Sequence, residues 1–296
     1  MFLRKRCIFC IRGKIMFGKM VRQLRRDKGI TLEALSDGIL STSQLSRFER
    51  DESEVTIRLF HQLLQRLGLD YDELMAFSSE ISLTKRQQFF RKMDQLYHHK
   101  ELEALMALQE EIEEAREVDA YFLTMYRCVL ASLEPSLGPS KDAIEALSDY
   151  LFGLDYWGQY EITLLGNCVD QLGYDAVFLL TKELLTKKAT YQSLDKNRRL
   201  AAQLSLNVMR RSTDMGRFDE ATYLSGKIAE LLCYEDEFYE KTIYRYEDSY
   251  LSYQLKKGNQ QGMTEALAVL QILSPDSLYP AYQAHFNQNV IKKQTL

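Results

Sequence analysis

Three glycines, Gly173, Gly216 and Gly258, fall 43 and 42 residues apart, and this spacing constrains the fold more than any other feature. Each sits in a short polar turn: Leu172-Gly-Tyr-Asp175, Met215-Gly-Arg-Phe-Asp219 and Lys257-Gly-Asn-Gln260. An aliphatic helix pattern follows each turn, over Ala176 to Leu185, Glu220 to Leu232 and Met263 to Leu273. A period of this length marks stacked helical hairpins, somewhat longer than the tetratricopeptide norm. A single hairpin cannot bury its apolar face, so successive ones stack into a curved solenoid with a concave surface. Upstream, Arg91 to Glu117 and Tyr121 to Leu133 read as an earlier pair of helices. The Glu-rich run from Glu110 to Glu117 reads as a solvated helix face.

Only four prolines and fourteen glycines interrupt 296 residues, and 46% of the chain is hydrophobic. The expected fold is therefore all-α, with ample core for two domains. No window approaches twenty uncharged apolar residues, so no membrane span is expected.

The N-terminal third carries a different pattern. Gly18 to Lys28 reads as a helix with Met20, Val21 and Leu24 apolar and five basic residues, ended by Gly29. Thr31 caps a short helix from Leu32 to Asp37, and Gly38 allows the bend that follows. Ser41 or Thr42 caps a third helix, in which Leu45 and Phe48 share one side. Ser43, Gln44, Arg47 and Arg50 fall mostly on the other side, where Gln suits an adenine edge and Arg a guanine edge. Hydroxyls and a helix N-terminus suit phosphate oxygens. Thr56 to Leu67 follows with Ile57, Leu59, Phe60, Leu63, Leu64 and Leu67 on one broad stripe, and Tyr71 to Phe77 closes the set. Five short helices with this third-helix pattern describe a helix-turn-helix domain of the phage-repressor kind.

Residues 16–80 carry nine Lys and Arg against eleven Asp and Glu, so net charge does not signal DNA. Segregation does: five of the nine cations lie in the first helix and two more in the third. Glu49, amid the reading residues, is expected to pair with Arg22 or Arg25 and fix the first helix to the third.

The run Ser43-Gln-Leu-Ser-Arg-Phe-Glu-Arg50 with Glu52-Ser-Glu54 resembles the DNA-binding domain of the Rgg family of transcription regulators. The resemblance continues through Ser132-Leu-Glu-Pro135, Ser148-Asp-Tyr-Leu-Phe152, Trp157 to Cys168, Phe178 to Glu183 and Phe238 to Thr242. Order and spacing of these blocks carry it, from residue 16 onward. It implies a basic extension over 1–15, a DNA-binding domain over 16–80 and a peptide-receptor and dimerisation domain over 81–296. It also implies a cytoplasmic homodimer on an inverted-repeat promoter site, controlled by a short, imported, largely apolar signalling peptide.

Candidate DNA contacts are Arg22, Arg25, Thr42, Ser43, Gln44, Arg47 and Arg50. On the receptor side, Asn167 and Asn207 lie forty residues apart on the first helices of successive hairpins. By themselves such asparagines suit internal packing as well as a groove; the resemblance implies that they hold a peptide main chain, since one amide both donates and accepts. Arg210 and Arg211 follow near the same face and suit either solvent or a ligand carboxylate. Asp170, one turn after Asn167, stands where some family members carry arginine, which implies a peptide of different charge at that point. Some members join protomers through a cysteine in the DNA-binding domain; Glu54 to Leu59 has Ile57 and no thiol, so dimerisation is expected to be non-covalent.

Met1 to Ile15 places five cations around Cys7 and Cys10 and lacks the apolar core of a signal peptide, reading as a mis-started or disordered arm. Cys-x-x-Cys alone is no zinc site, which needs two further ligands. Cys128, Cys168 and Cys233 sit in apolar helical contexts and are expected as reduced core residues of a cytosolic protein. His61, His98, His99 and His285 have no acidic or thiol companion at motif spacing, and no phosphate loop, metal spacing or nucleophile motif is present. No enzyme, metal or cofactor is expected. The alternative function is a DNA-binding repressor controlled by a protein partner or small molecule.

Overall fold

The computed structural model describes residues 10–11, 14–15, 17–77, 84–115, 118–187 and 194–291. They gather in two compact units divided between Lys92 and Met93. Of the N-terminal extension, Cys10–Ile11 and Lys14–Ile15 pair as a two-residue antiparallel ladder. Cys7 and its neighbours lie outside the described residues.

The first unit contains α1 (Phe17–Asp27), α2 (Leu32–Ser36), α3 (Thr42–Glu49), α4 (Ile57–Leu67) and α5 (Tyr71–Phe77). Val21, Leu35, Leu45, Phe48, Leu63 and Leu67 form one buried cluster. Met20, Leu24, Leu64 and Leu74 form a second beneath α5. The periodicity thus buries one face of each helix, as a small bundle requires. Ile57 departs from its expected stripe: at the first turn of α4 it is 79% exposed, whereas Phe60, one turn on, already packs against both clusters. Gly29, Gly38 and Gly68 take left-handed backbone at the helix ends, where a side chain would be strained. Gly18 serves closeness instead, since an added Cβ would lie 1.8 Å from the Phe48 carbonyl oxygen.

α6 (Lys85–His98) spans the division between the units. The second unit continues with α7 (Leu102–Glu114), α8 (Ala120–Leu133), α9 (Lys141–Phe152), α10 (Gln159–Cys168) and α11 (Tyr174–Thr186). α12 (Asp195–Asp214), α13 (Phe218–Leu231), α14 (Phe238–Gln254), α15 (Gln261–Leu273) and α16 (Leu278–Phe286) complete it, ending in a π turn at Asn287–Ile291. α12 packs on α13 and α14, and α14 on α15, in the expected succession of hairpins. The helix expected over Arg91 to Glu117 is two helices. Lys100 turns the chain between them in left-handed backbone (φ 55°), without a glycine or proline to announce the break. Cys233 also departs from expectation, being exposed just past α13, whereas Cys128 and Cys168 are buried.

A ladder of polar pairs ties α12 to α14. Arg199 Nε donates to Glu240 at 3.0 Å, Gln203 donates to the same carboxylate at 2.8 Å, and Tyr250 Oη donates to Asp214 at 2.8 Å. Arg198 pairs with Glu237 and Arg210 with Glu247. Glu237, Glu240 and Glu247 are almost wholly buried, so each needs its cation to offset desolvation.

Candidate functional site

α3 is capped by Ser41, whose Oγ accepts the Gln44 backbone N–H at 3.2 Å. Gln44 returns the bond: its Oε1 accepts the Ser41 backbone N–H at 3.0 Å and the Ser41 hydroxyl at 3.1 Å. This reciprocal capping box fixes the helix start. It also uses the Gln44 carbonyl oxygen, leaving its NH2 group to face outward.

Leu45 and Phe48 anchor α3 in the core, and the opposite face is open. Ser43 and Arg47 are exposed, and Thr42 is half-buried at the first turn. The Arg47 side chain has no hydrogen bond or ion pair among the described residues. Arg50 is tied on the surface, its Nε and Nη2 to Glu52 at 2.7 and 2.8 Å and its Nη1 to Ser46 at 2.6 Å.

Arg25, a candidate DNA contact, is taken up inside the unit. Its Nε and Nη2 donate to the two Glu49 carboxylate oxygens at 2.6 and 2.7 Å, and Nη1 donates to the Ile30 carbonyl at 2.9 Å. Both residues are buried, and the bonds to Glu49 raise the Arg25 pKa despite burial. The pair clamps α1 to α3, which settles the choice between Arg22 and Arg25 as the partner of Glu49. Arg22, half-buried, borders a 220 Å3 recess beside α3 together with Arg26, Ser46 and Arg50.

The second unit holds a cavity of about 600 Å3, within the range that accepts small ligands and peptide segments. All five residues named from the sequence line it: Asn167 and Asp170 at and just past the end of α10, and Asn207, Arg210 and Arg211 on α12. Asn207 is exposed, and its side chain has no hydrogen bond among the described residues. Asn167 donates its Nδ2 to the Thr163 carbonyl one turn back at 2.9 Å, which leaves its amide oxygen as an acceptor.

The two arginines face inward to the protein. Arg210 is held by Glu247, with its guanidinium 4.0 Å from the Tyr282 ring centre. Burial works against its charge, yet Glu247 keeps its pKa above the ordinary value. Arg211 donates to the Val169 carbonyl and lies 5.8 Å from the Tyr174 ring centre.

The cavity includes residues the sequence reading missed, among them Tyr97, Ser132, Gln171 and Asp214. Asp214 was accessible to that reading, being four residues past Arg210 on the same helix. It accepts from Tyr250 at 2.8 Å and lies 3.3 Å from His285 Nε2, whose Nδ1 meets the Tyr246 hydroxyl at 2.8 Å. Burial raises the Asp214 pKa, but His285 and Tyr250 outweigh it and hold the carboxyl below its usual range. His285 thus has an acidic companion that lies 71 residues away in the chain.

Comparison with known proteins places these features in context. Residues 105–284 match the family model described as HTH-type transcriptional regulator Rgg, C-terminal domain, and residues 21–74 match a helix-turn-helix model. The structure is similar to the Streptococcus dysgalactiae SHP pheromone receptor Rgg2. A cysteine-to-serine variant of that receptor shares 36% identity at a TM-score of 0.84, over 93% of this chain and 100% of that one. The crystal structure of Rgg2 itself gives 37% identity and a TM-score of 0.82, with the same coverage. A putative transcriptional regulator from Listeria monocytogenes EGD-e shares the fold at 18% identity, with a TM-score of 0.81 over 94% of this chain and 98% of that one.

Proposed function

This chain belongs to the Rgg family of helix-turn-helix transcriptional regulators, and from that premise we propose that a short imported signalling peptide, bound in the cavity of its second unit, controls its hold on DNA. The observation that carries the reading is convergence: Asn167, Asp170, Asn207, Arg210 and Arg211, chosen from the sequence alone, line one cavity. The similarity to a structure named as a pheromone receptor supports the same ligand class.

The working division is a DNA-binding domain over 16–80 and a receptor and dimerisation domain over 81–296. On the DNA side, Arg47 reads a base edge, Ser43 and Thr42 meet the backbone or a base at the helix start, and Arg22 and Arg50 face phosphates. Gln44 offers donors alone unless its cap opens. A homodimer matches an inverted-repeat promoter site, because two-fold protein symmetry is mirrored in the operator. In the cavity, the Asn207 amide and the Asn167 oxygen suit a peptide main chain, and apolar peptide side chains suit Val129 and Val169.

Peptide control requires a ligand that binds two arrangements of the dimer unequally. No described helix is long and apolar enough to cross a membrane. We read the protein as a cytoplasmic binding protein and not an enzyme.

The DNA half is tested with duplexes selected from a random pool by the full-length protein. Arg47→Ala should weaken binding to the selected site by about 1–3 kcal/mol and relax one base position. Equal weakening on every duplex would make Arg47 a phosphate contact instead.

A further inference from the structure

The peptide cavity has an uneven charge. Its two arginines, the natural partners for a ligand carboxylate, are both turned to protein groups. Arg210 is neutralised by the buried Glu247 behind it, and its Nε and Nη2 are both spent on that carboxylate. Arg211 keeps its charge but directs it at the Val169 carbonyl and the Tyr174 ring. Three carboxylates share the same wall space: Asp94, Asp170 and Asp214.

Asp170 is exposed and has no hydrogen bond or ion pair among the described residues. Asp214 is anchored through Oδ1 to Tyr250 and His285, an arrangement that orients the carboxylate and favours its ionised form. Glu247 occupies Nε and Nη2 of Arg210 and the Val169 carbonyl occupies Nη1 of Arg211, so a ligand carboxylate meets one partly spent guanidinium among three like charges. A cationic group meets carboxylates in the same cavity lining, and at Asp170 it has no protein partner to displace.

Resting on the peptide reading above, we propose that the cavity selects a cationic group on its ligand, with Asp170 and Asp214 as its acceptors. Two sources share this chemistry: the N-terminal ammonium of a processed peptide and a lysine or arginine side chain within it. Neutral amides and apolar side chains then fill the remainder, against Asn167, Asn207 and the valines.

The test uses the full-length protein and synthetic octapeptides of Ile, Leu, Val and Gly labelled with fluorescein at the C-terminus. One position is Lys, Gln or Asp, and each peptide is made with a free or an acetylated N-terminus. Anisotropy titrations should rank peptides bearing a cation roughly tenfold above the acetylated Gln peptide, with the acetylated Asp peptide weakest. Loss of affinity on acetylating the Gln peptide assigns the cation to the terminus, and recovery with Lys assigns it to a side chain. Asp170→Asn, a surface change that leaves the fold alone, should erase most of the ranking and its sensitivity to salt.

Binding that is indifferent to charge, or strongest for the Asp peptide, overturns the cation preference while leaving the cavity a peptide site. A ranking unchanged in Asp170→Asn overturns the assigned acceptor. Failure of every peptide, whatever its charge, overturns the peptide reading and this inference with it.

Discussion

Breaking the Arg25–Glu49 pair should destabilise the DNA-binding unit rather than weaken its grip on phosphate. Glu49 is 3% exposed and Arg25 9%, and two short charge-assisted bonds of 2.6 and 2.7 Å join them across α1 and α3. Glu49→Ala leaves the Arg25 guanidinium buried with one remaining bond to the Ile30 carbonyl. Stranding a buried charge in this way costs about 3–5 kcal/mol. In a unit of this size each 1 kcal/mol lowers the melting temperature by about 4–8 °C, so the loss is about 12 °C or more. Hydrogen exchange in the full-length protein, followed on peptides covering 17–27 and 42–49, should quicken by about a hundredfold or more, at a factor of ten per 1.4 kcal/mol. The double change Arg25→Met with Glu49→Leu removes both charges together and should recover most of the protection. Were Arg25 a phosphate contact, Arg25→Met would leave exchange and melting unchanged. It would instead lower DNA affinity uniformly and reduce the salt slope by about one. That pattern would refute the clamp.

The Gln44 cap gives a separate test. Gln44→Glu preserves the acceptor and should hold the melting temperature, whereas Gln44→Ala should lose about 0.5–1.5 kcal/mol; a preferred base that changes in Gln44→Glu at unchanged stability would make the outward amide a base reader, and an unchanged one would leave Gln44 a cap alone. Gly18→Ala forces its Cβ to within 1.8 Å of the Phe48 carbonyl oxygen and 2.9 Å of Asp51 Oδ1. It should cost at least the ~1–3 kcal/mol of an overpacked core, read by circular dichroism, and a stable variant would mean α1 and α3 can separate.

Legibility followed the range of the interaction. Leu45 and Phe48 are three apart on one helix, so their burial was visible in the spacing, as was Thr31 at a helix start. The capping box of Ser41 and Gln44 was also local, but its consequence for base reading was not, because one amide can cap or read. Arg22 and Arg25 occupy the same face one turn apart, and only packing against α3 selects Arg25 for Glu49. Lys100 breaks the helix expected over Arg91 to Glu117 in a stretch free of glycine and proline, where only the adjacent His98 and His99 read as a turn.

In the cavity, the repeat spacing brought Asn167 and Asn207 together correctly. The roles of Arg210 and Arg211 depended on partners 37 and 42 residues distant, Glu247 and the Val169 carbonyl, which periodicity does not specify. The contact of Asp214 with His285, across 71 residues of chain, shows the same limit.

The account stands most directly on whether a peptide occupies the cavity lined by Asn167 and Asn207. Fluorescein-labelled C-terminal octapeptides, encoded by small reading frames beside the gene, provide the probe, titrated against wild-type protein and Asn207→Ala. Loss of a main-chain clamp of donor and acceptor should weaken the tightest binder about tenfold or more, near 1.4 kcal/mol, with affinity for promoter DNA unchanged. Equal peptide affinity in the two proteins would place the ligand elsewhere and contradict the central claim.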